Sequence, residues 1–189
     1  ALGIVACTFL HPLGRQIALI TVLPLLVLYT PLFKRLPFIG NLVVGCILGI
    51  VFLFTEGALH GNVDKMWIPF FLATALSSIR ELCKDAEDLA GDYTANLQTF
   101  PRKFGLIATL WLLRFLSLTL CFFAIIPYTN GHYGIIYLVT LLFGVEIPLL
   151  YGMFVVLSEK SGSADYSKAA KILKGVTIVG MLVILSSAY

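Results

Sequence analysis

The sequence predicts an all-α fold, a polytopic bundle of transmembrane helices, and three observations carry that prediction. Hydrophobic residues make up 59% of the chain and charged residues 12%, against roughly 45–50% and about 25% in a soluble domain. Mean hydropathy is +0.97. The apolar residues fall in long continuous runs rich in Leu, Ile, Phe and Gly, which suits spanning helices of about 20 residues rather than barrel strands of about 10 that alternate apolar with polar. The same numbers exclude a disordered chain, which needs low hydrophobicity and high charge. A net charge of only +3 also excludes a strongly basic nucleic-acid binder, so the expected environment is a lipid bilayer and no nucleic-acid partner is expected.

The segments follow in order. Residues 1–10 read as the tail of one helix, and 16–32 as a second with Pro24 as its kink. Residues 38–55 form a third segment with no charge at all. Residues 66–79 are short and run directly into the polar stretch 80–92. Residues 104–127 are interrupted only by Arg114, and 133–157 by Glu146 and Pro148. A polar linker, 157–174, leads to the last segment, 172–189. This makes about six full spans plus a partial one, all in a single domain over 1–189.

The first Met is Met66, and the chain opens inside an apolar run. No basic region precedes that run and no cleavage site follows it, so it is read as a helix cut short at its N-terminus rather than as a signal peptide. Cys7, Cys46, Cys83 and Cys121 show no C-x-x-C pairing and read as small buried hydrophobes. Of the thirteen Lys and Arg residues, ten lie in one set of alternate connections. These are Lys34, Arg35, Arg80, Lys84, Arg102, Lys103, Lys160, Lys168, Lys171 and Lys174. The opposite set holds Arg15 and Lys65, and Arg114 lies within a span. The positive-inside rule puts the ten-residue side in the cytoplasm.

Ten acids are present in all, and four fall in the window Asp85-Ala86-Glu87-Asp88-Leu89-Ala90-Gly91-Asp92. On a helix continued through this window, Asp88 lies about 60° and Asp92 about 20° from Asp85, spread over about 10 Å of rise. Three carboxylates on one stripe repel one another, and more strongly at a membrane boundary than in water. Mg²⁺, which takes one or two carboxylates plus substrate phosphates and waters, would neutralise them; a solvated acidic helix end is the alternative. A second polar stretch, Tyr29-Thr30-Pro31-Leu32-Phe33-Lys34-Arg35 followed by Gly40-Asn41, lies at the same end. Its Lys34 and Arg35 suit phosphate oxygens, although such a cluster also serves as a topogenic anchor.

Together these stretches resemble the UbiA superfamily of intramembrane prenyltransferases. The segment Arg80-Glu81-Leu82-Cys83-Lys84-Asp85-Ala86-Glu87-Asp88-Leu89-Ala90-Gly91-Asp92 is similar to the family's second aspartate-rich motif. Its form is nearest the branch that geranylgeranylates glycerol-phosphate lipids, and it also resembles branches acting on homogentisate-like aromatic acids. Thr99-Phe100-Pro101 with Gly105 is similar to the segment that follows that motif. The resemblance implies a nine-helix bundle in which two aspartate motifs face each other across a cavity, with Mg²⁺ holding a polyprenyl diphosphate and the prenyl tail in an apolar channel. It implies transfer of that prenyl group to a hydrophobic or amphiphilic acceptor. It makes Asp85, Asp88 and Asp92 the catalytic and metal-side carboxylates, and Lys34, Tyr29 and Lys84 the diphosphate contacts. The family's first motif has no counterpart here, since no Asp precedes Asp64. On this resemblance the chain begins within the third helix of nine and carries half of the metal site, so that alone it would be inactive. Ala90 stands where relatives usually carry Glu.

Arg114 and Glu146 are intramembrane charges, expected either to face the cavity, to pair with each other, or to satisfy a neighbouring helix. Glu56 and His60 are expected at the interface, and Trp67, Tyr128, Tyr133 and Tyr137 in an aromatic belt. The three histidines, His11, His60 and His132, stand apart from one another and from the acid stripe. The rival reading is a transporter or channel using the acids as a cation pathway. Such proteins place their ionisable groups near the bilayer midplane.

Overall fold

The computed structural model describes Gly3, Val5 and residues 9–186. Most of the expected first segment, Cys7 included, lies outside the described residues. The described chain is helical. Helix α1 is Pro12–Tyr29, α2 is Ile39–His60, α3 is Trp67–Glu87, α4 is Leu89–Thr94, α5 is Phe100–Thr129, α6 is Ile135–Val156 and α7 is Ser163–Ser186. A 3-10 turn, Phe33–Arg35, joins α1 to α2. By length and composition α1, α2, α5 and α6 can each cross a membrane. Helices α3 and α7 match them in length, but each carries a charged stretch at one end.

Helix α3 is the centre of the bundle, packed against α2, α5 and α7. Its seam with α2 depends on two glycines four residues apart. A Cβ on Gly45 would overlap Ser78 Oγ and the Thr74 carbonyl, and one on Gly49 would overlap Thr74 Oγ1. This is the small-residue spacing by which membrane helices bring their backbones together. The core lies between α3, α5, α6 and α7, where Leu82, Leu113, Leu149, Met153 and Leu173 are fully buried. Large apolar side chains such as Phe115, Phe122 and Phe143 point outward, as expected of a bundle whose solvent is lipid.

Two prolines within helices are accommodated by changes of register. Residues Ile17–Val22 and Leu142–Glu146 are π-helical, and each stretch ends two residues before a proline, Pro24 and Pro148 respectively. The Leu23 N–H reaches the Ala18 carbonyl and the Ile147 N–H reaches that of Leu142, five residues back in each case. The wider turn takes up the register that a proline ring would otherwise break by its clash with the carbonyl four residues earlier. Gly105 bends the start of α5 at φ 84°, a left-handed conformation that favours glycine.

Several side chains depart from expectation. Glu56 is buried, 6% exposed, and accepts the Lys65 and Met66 backbone N–H groups at 3.0 Å each. It thus caps the start of α3, a favourable place for a carboxylate. Glu56→Leu leaves two donors without an acceptor and is expected to cost about 2 kcal/mol or more, read as a lower denaturant midpoint in detergent. Tyr137 is fully buried and donates to the Ala124 carbonyl at 2.8 Å, so it belongs to the core and not to an aromatic belt. Arg114 meets one of its expected outcomes, satisfying a neighbouring helix rather than pairing with Glu146. It donates to the Met153 and Leu157 carbonyls at 3.1 and 3.0 Å, the end of α6 where carbonyls lack helical partners, and its guanidinium lies over the Trp111 and Phe154 rings. The expected linker 157–174 is mostly helix. Helix α7 starts at Ser163, with Asp165 accepting from the Gly162 N–H and pairing with Lys168 one turn on.

Candidate functional site

A small polar recess of about 60 Å³ opens at the end of the bundle where α1 ends, α2 begins and α3 gives way to α4. Tyr29 enters it from the last turn of α1 and Lys34 from the 3-10 turn. That turn lies close against α2, since a Cβ on Gly40 would stand 3.0 Å from the Phe33 carbonyl. Asn41, 6% exposed, donates through Nδ2 to Asp85 Oδ2 at 2.6 Å. Asp92 enters from α4 and accepts from Thr99 Oγ1 at 2.7 Å. Arg102 ties the loop between α4 and α5 by donating to the Leu97 carbonyl at 2.7 Å and to the Asp92 carbonyl at 3.3 Å.

Of the residues singled out in the sequence, Asp85, Asp92, Lys34 and Tyr29 converge on this recess; Asp88 and Lys84 do not line it. The unbroken helix expected through the acid window stops at Glu87, because Asp88 leaves helical geometry at φ −98°, ψ 25°. Its exposed carboxylate folds over Gly91, in the space a Cβ there would take. Lys84 is exposed and pairs with Glu81 at 3.1 Å, and Arg80 pairs with the same carboxylate at 3.0 Å. Glu81, Asn41 and Thr99 line the recess beside the two aspartates. Asn41 and Thr99 carry no charge and stood out only through the family-like segments that contain them.

Both aspartates lie in the polar stretch beyond the apolar part of α3. Burial pushes the Asp85 carboxyl up to about 6, against the Asn41 hydrogen bond, and the neighbouring Asp92 and Glu81 charges add to the rise. Burial also raises Asp92, opposed by Thr99, while Asp88 raises it further and Lys34 and Arg102 pull it down. The recess therefore holds two carboxylates whose charge the protein does not fully compensate. Among the described residues no group of three or more His, Cys, Asp or Glu side chains could hold a metal ion by itself. Two carboxylates fit Mg²⁺ as a shared ion, with the remaining ligands drawn from phosphate oxygens and water.

Fold and recess define a helical membrane protein with a carboxylate pair and a basic side chain gathered at one end. The chain belongs to the UbiA prenyltransferase family, whose model matches residues 1–175. It is 31% identical over 187 residues to a digeranylgeranylglyceryl phosphate synthase of Methanopyrus kandleri, covering 99% of this chain and 67% of that protein. A protein of the same name from Haloquadratum walsbyi is 35% identical over 153 residues, 80% of this chain and 53% of that one. A solved structure from work on digeranylgeranylglyceryl phosphate synthase in membranes superposes with a TM-score of 0.83 at 30% identity, over 99% of this chain and 65% of that chain. The chain thus spans between about half and two thirds of the length of these relatives.

Proposed function

We propose that the protein carrying this chain is an integral-membrane, Mg²⁺-dependent prenyltransferase. It moves a polyprenyl group from an allylic diphosphate to a lipid acceptor, with its polar recess on the cytoplasmic side. The convergence of Asp85 and Asp92 with Lys34 and Tyr29 in one recess carries this reading. The names of the relatives favour a glycerol-phosphate lipid as acceptor over an aromatic quinone precursor. The transporter reading needs its acids near the midplane, whereas these two lie at one end of the bundle.

In the proposed reaction the allylic C–O bond breaks and its electron pair leaves with the diphosphate. The acceptor oxygen bonds to the allylic carbon, and the acceptor proton passes to the departing phosphate oxygens or water. Bound Mg²⁺ supplies Lewis-acid stabilisation of the negative charge that develops on the diphosphate. Asp85 and Asp92 would hold the ion, Asn41 and Thr99 fix their orientation, and Lys34 is placed to add positive charge beside the phosphates. The surrounding apolar helices keep stray water from the reacting carbon.

The positioning role of Asn41 has its own test. Asn41→Leu removes the hydrogen bond to Asp85 and is expected to raise the Mg²⁺ concentration for half-maximal activity by about tenfold or more, read in a metal titration. The reaction itself is tested with the full-length protein, radiolabelled geranylgeranyl diphosphate and two acceptors, geranylgeranylglyceryl phosphate and a homogentisate-like acid. The expected result is Mg²⁺-dependent, EDTA-sensitive label in the lipid acceptor. Label in neither product would overturn the proposal, and label in the aromatic product alone would overturn the acceptor assignment.

A further inference from the structure

Arg80, Lys84 and Lys174 are cations that the proposed reaction leaves unused, and the fold gathers them beside the recess. Arg80 and Lys84 both donate to Glu81, at 3.0 and 3.1 Å, and Glu81 lines the recess. Arg80 lies five residues from Asp85 along α3, about 7.5 Å of rise.

Helix α7 brings Lys174 to the same place. It runs antiparallel to α3: the Ser163 hydroxyl donates to the Glu87 carbonyl at 2.7 Å, and the Cys83 thiol reaches the Tyr166 carbonyl at 3.5 Å. Further into the bundle, Ser77 of α3 and Thr177 of α7 line one apolar crevice of about 220 Å³. Three residues from each toward the polar end stand Arg80 and Lys174, on the same helix faces as Ser77 and Thr177. The two cations thus flank the polar mouth of that crevice. Packed helices lie about 8–10 Å apart, a gap that two long side chains and one phosphate group close. Lys174 is exposed and forms no ion pair among the described residues. Arg80 uses one nitrogen on Glu81, out of a planar fork of five N–H donors. Three cations against one carboxylate leave the group positive. Topology asks only for cations on this side of the membrane, and not that two helices bring theirs together.

The chemistry of a glycerol-phosphate acceptor says what such a group would take. That acceptor carries a phosphate that does not react, with a charge of about −1.5 to −2 at neutral pH. Four bonds of about 1.5 Å join its phosphorus to the reacting hydroxyl oxygen, a reach of about 5 Å. The phosphate therefore sits beside the donor's diphosphate, and at that distance the two anions repel unless cations lie with them. We infer that Arg80, Lys84 and Lys174 form a second anion site that binds the acceptor's unreactive phosphate, and that this site selects phosphorylated over neutral acceptors. The inference rests on the proposed reaction.

The test compares kcat/KM of the full-length enzyme, in neutral detergent, for geranylgeranylglyceryl phosphate and for its dephosphorylated counterpart, with one donor throughout. The parent should prefer the phosphorylated acceptor. Arg80→Gln and Lys174→Gln should each lower that preference by about tenfold or more, with acceptor KM rising more than donor KM. Arg80→Lys, which keeps the charge but not the fork, should retain more of the preference than Arg80→Gln. Lys168→Gln, turned about 120° from Lys174 on α7 and paired with Asp165, should keep the parent preference. A preference within about twofold of the parent in either Arg80→Gln or Lys174→Gln would overturn the assignment. An equal fall in Lys168→Gln would overturn it too, by making the effect one of general surface charge. If Arg80→Gln fails to fold, Lys174→Gln, at an exposed position, decides alone. Absence of transfer by the parent to either acceptor would overturn the proposed reaction itself, whereas equal use of both acceptors overturns only the second anion site.

Discussion

Asp85→Asn in the full-length protein is expected to lower prenyl transfer by at least about 10²–10³-fold while leaving the fold intact. The carboxylate is half-buried; burial raises its pKa, and the opposing charges of Asp92 and Glu81 add to the rise. The amide is the same size and can still accept the hydrogen bond that Asn41 now gives to Asp85 Oδ2. Neutralising the position removes a charge that the folded protein without metal disfavours. The melting temperature in detergent is accordingly expected to stay level or rise as activity falls. Such an opposition of stability and function is the signature of a side chain held in place for a ligand. Parallel loss of both would instead mark Asp85 as a structural residue.

Gly45→Leu should have the largest effect on the fold. The α2–α3 seam leaves no room for a Cβ at this position, because Ser78 Oγ and the Thr74 carbonyl already occupy it. Ser78 cannot swing away without giving up its 2.7 Å hydrogen bond to the Thr74 carbonyl, and that carbonyl belongs to the α3 backbone. Gly45→Ala is expected to cost about 1–3 kcal/mol through overpacking, and Gly45→Leu more than about 4 kcal/mol, read as loss of monodisperse protein. Asn41 lies one turn from Gly45 on the same face, so whatever Gly45→Ala protein survives should also show a weakened Asn41–Asp85 contact and reduced transfer. Adding Ser78→Ala should not restore either property, since the Thr74 carbonyl remains in the way.

Hydropathy made the fold class legible, because a helix in lipid must be long and continuously apolar, and α2, α5 and α6 follow the runs that announce them. Polar helix was harder to read. The first turns of α7 look like a linker in composition, yet the local pairing of Asp165 with Lys168 and with the Gly162 N–H carries the helix back to Ser163. Tyr137 and Glu56 are buried for a shared reason. Position near a helix end suggests an interface, whereas a hydrogen-bond partner inside the protein, the Ala124 carbonyl or the α3 N-terminus, lets a polar group be buried. At the site, charge spacing singled out Asp85 and Asp92 but could not reveal that the helix stops beside Asp88. Helical-wheel angles hold only while the helix does. Asn41 and Thr99, uncharged and distant from the acids in sequence or in helix, become visible as partners only once the chain is folded.

Asp85 and Asp92 are proposed to hold a divalent ion jointly with a diphosphate. The most direct test is Mn²⁺ binding to the purified full-length protein by electron paramagnetic resonance, with and without inorganic diphosphate, in the parent and in Asp85→Asn and Asp92→Asn. The expected result is a bound-Mn²⁺ signal that requires diphosphate and that weakens by at least about tenfold in affinity in each variant. Unchanged diphosphate-dependent Mn²⁺ binding in both variants would contradict it.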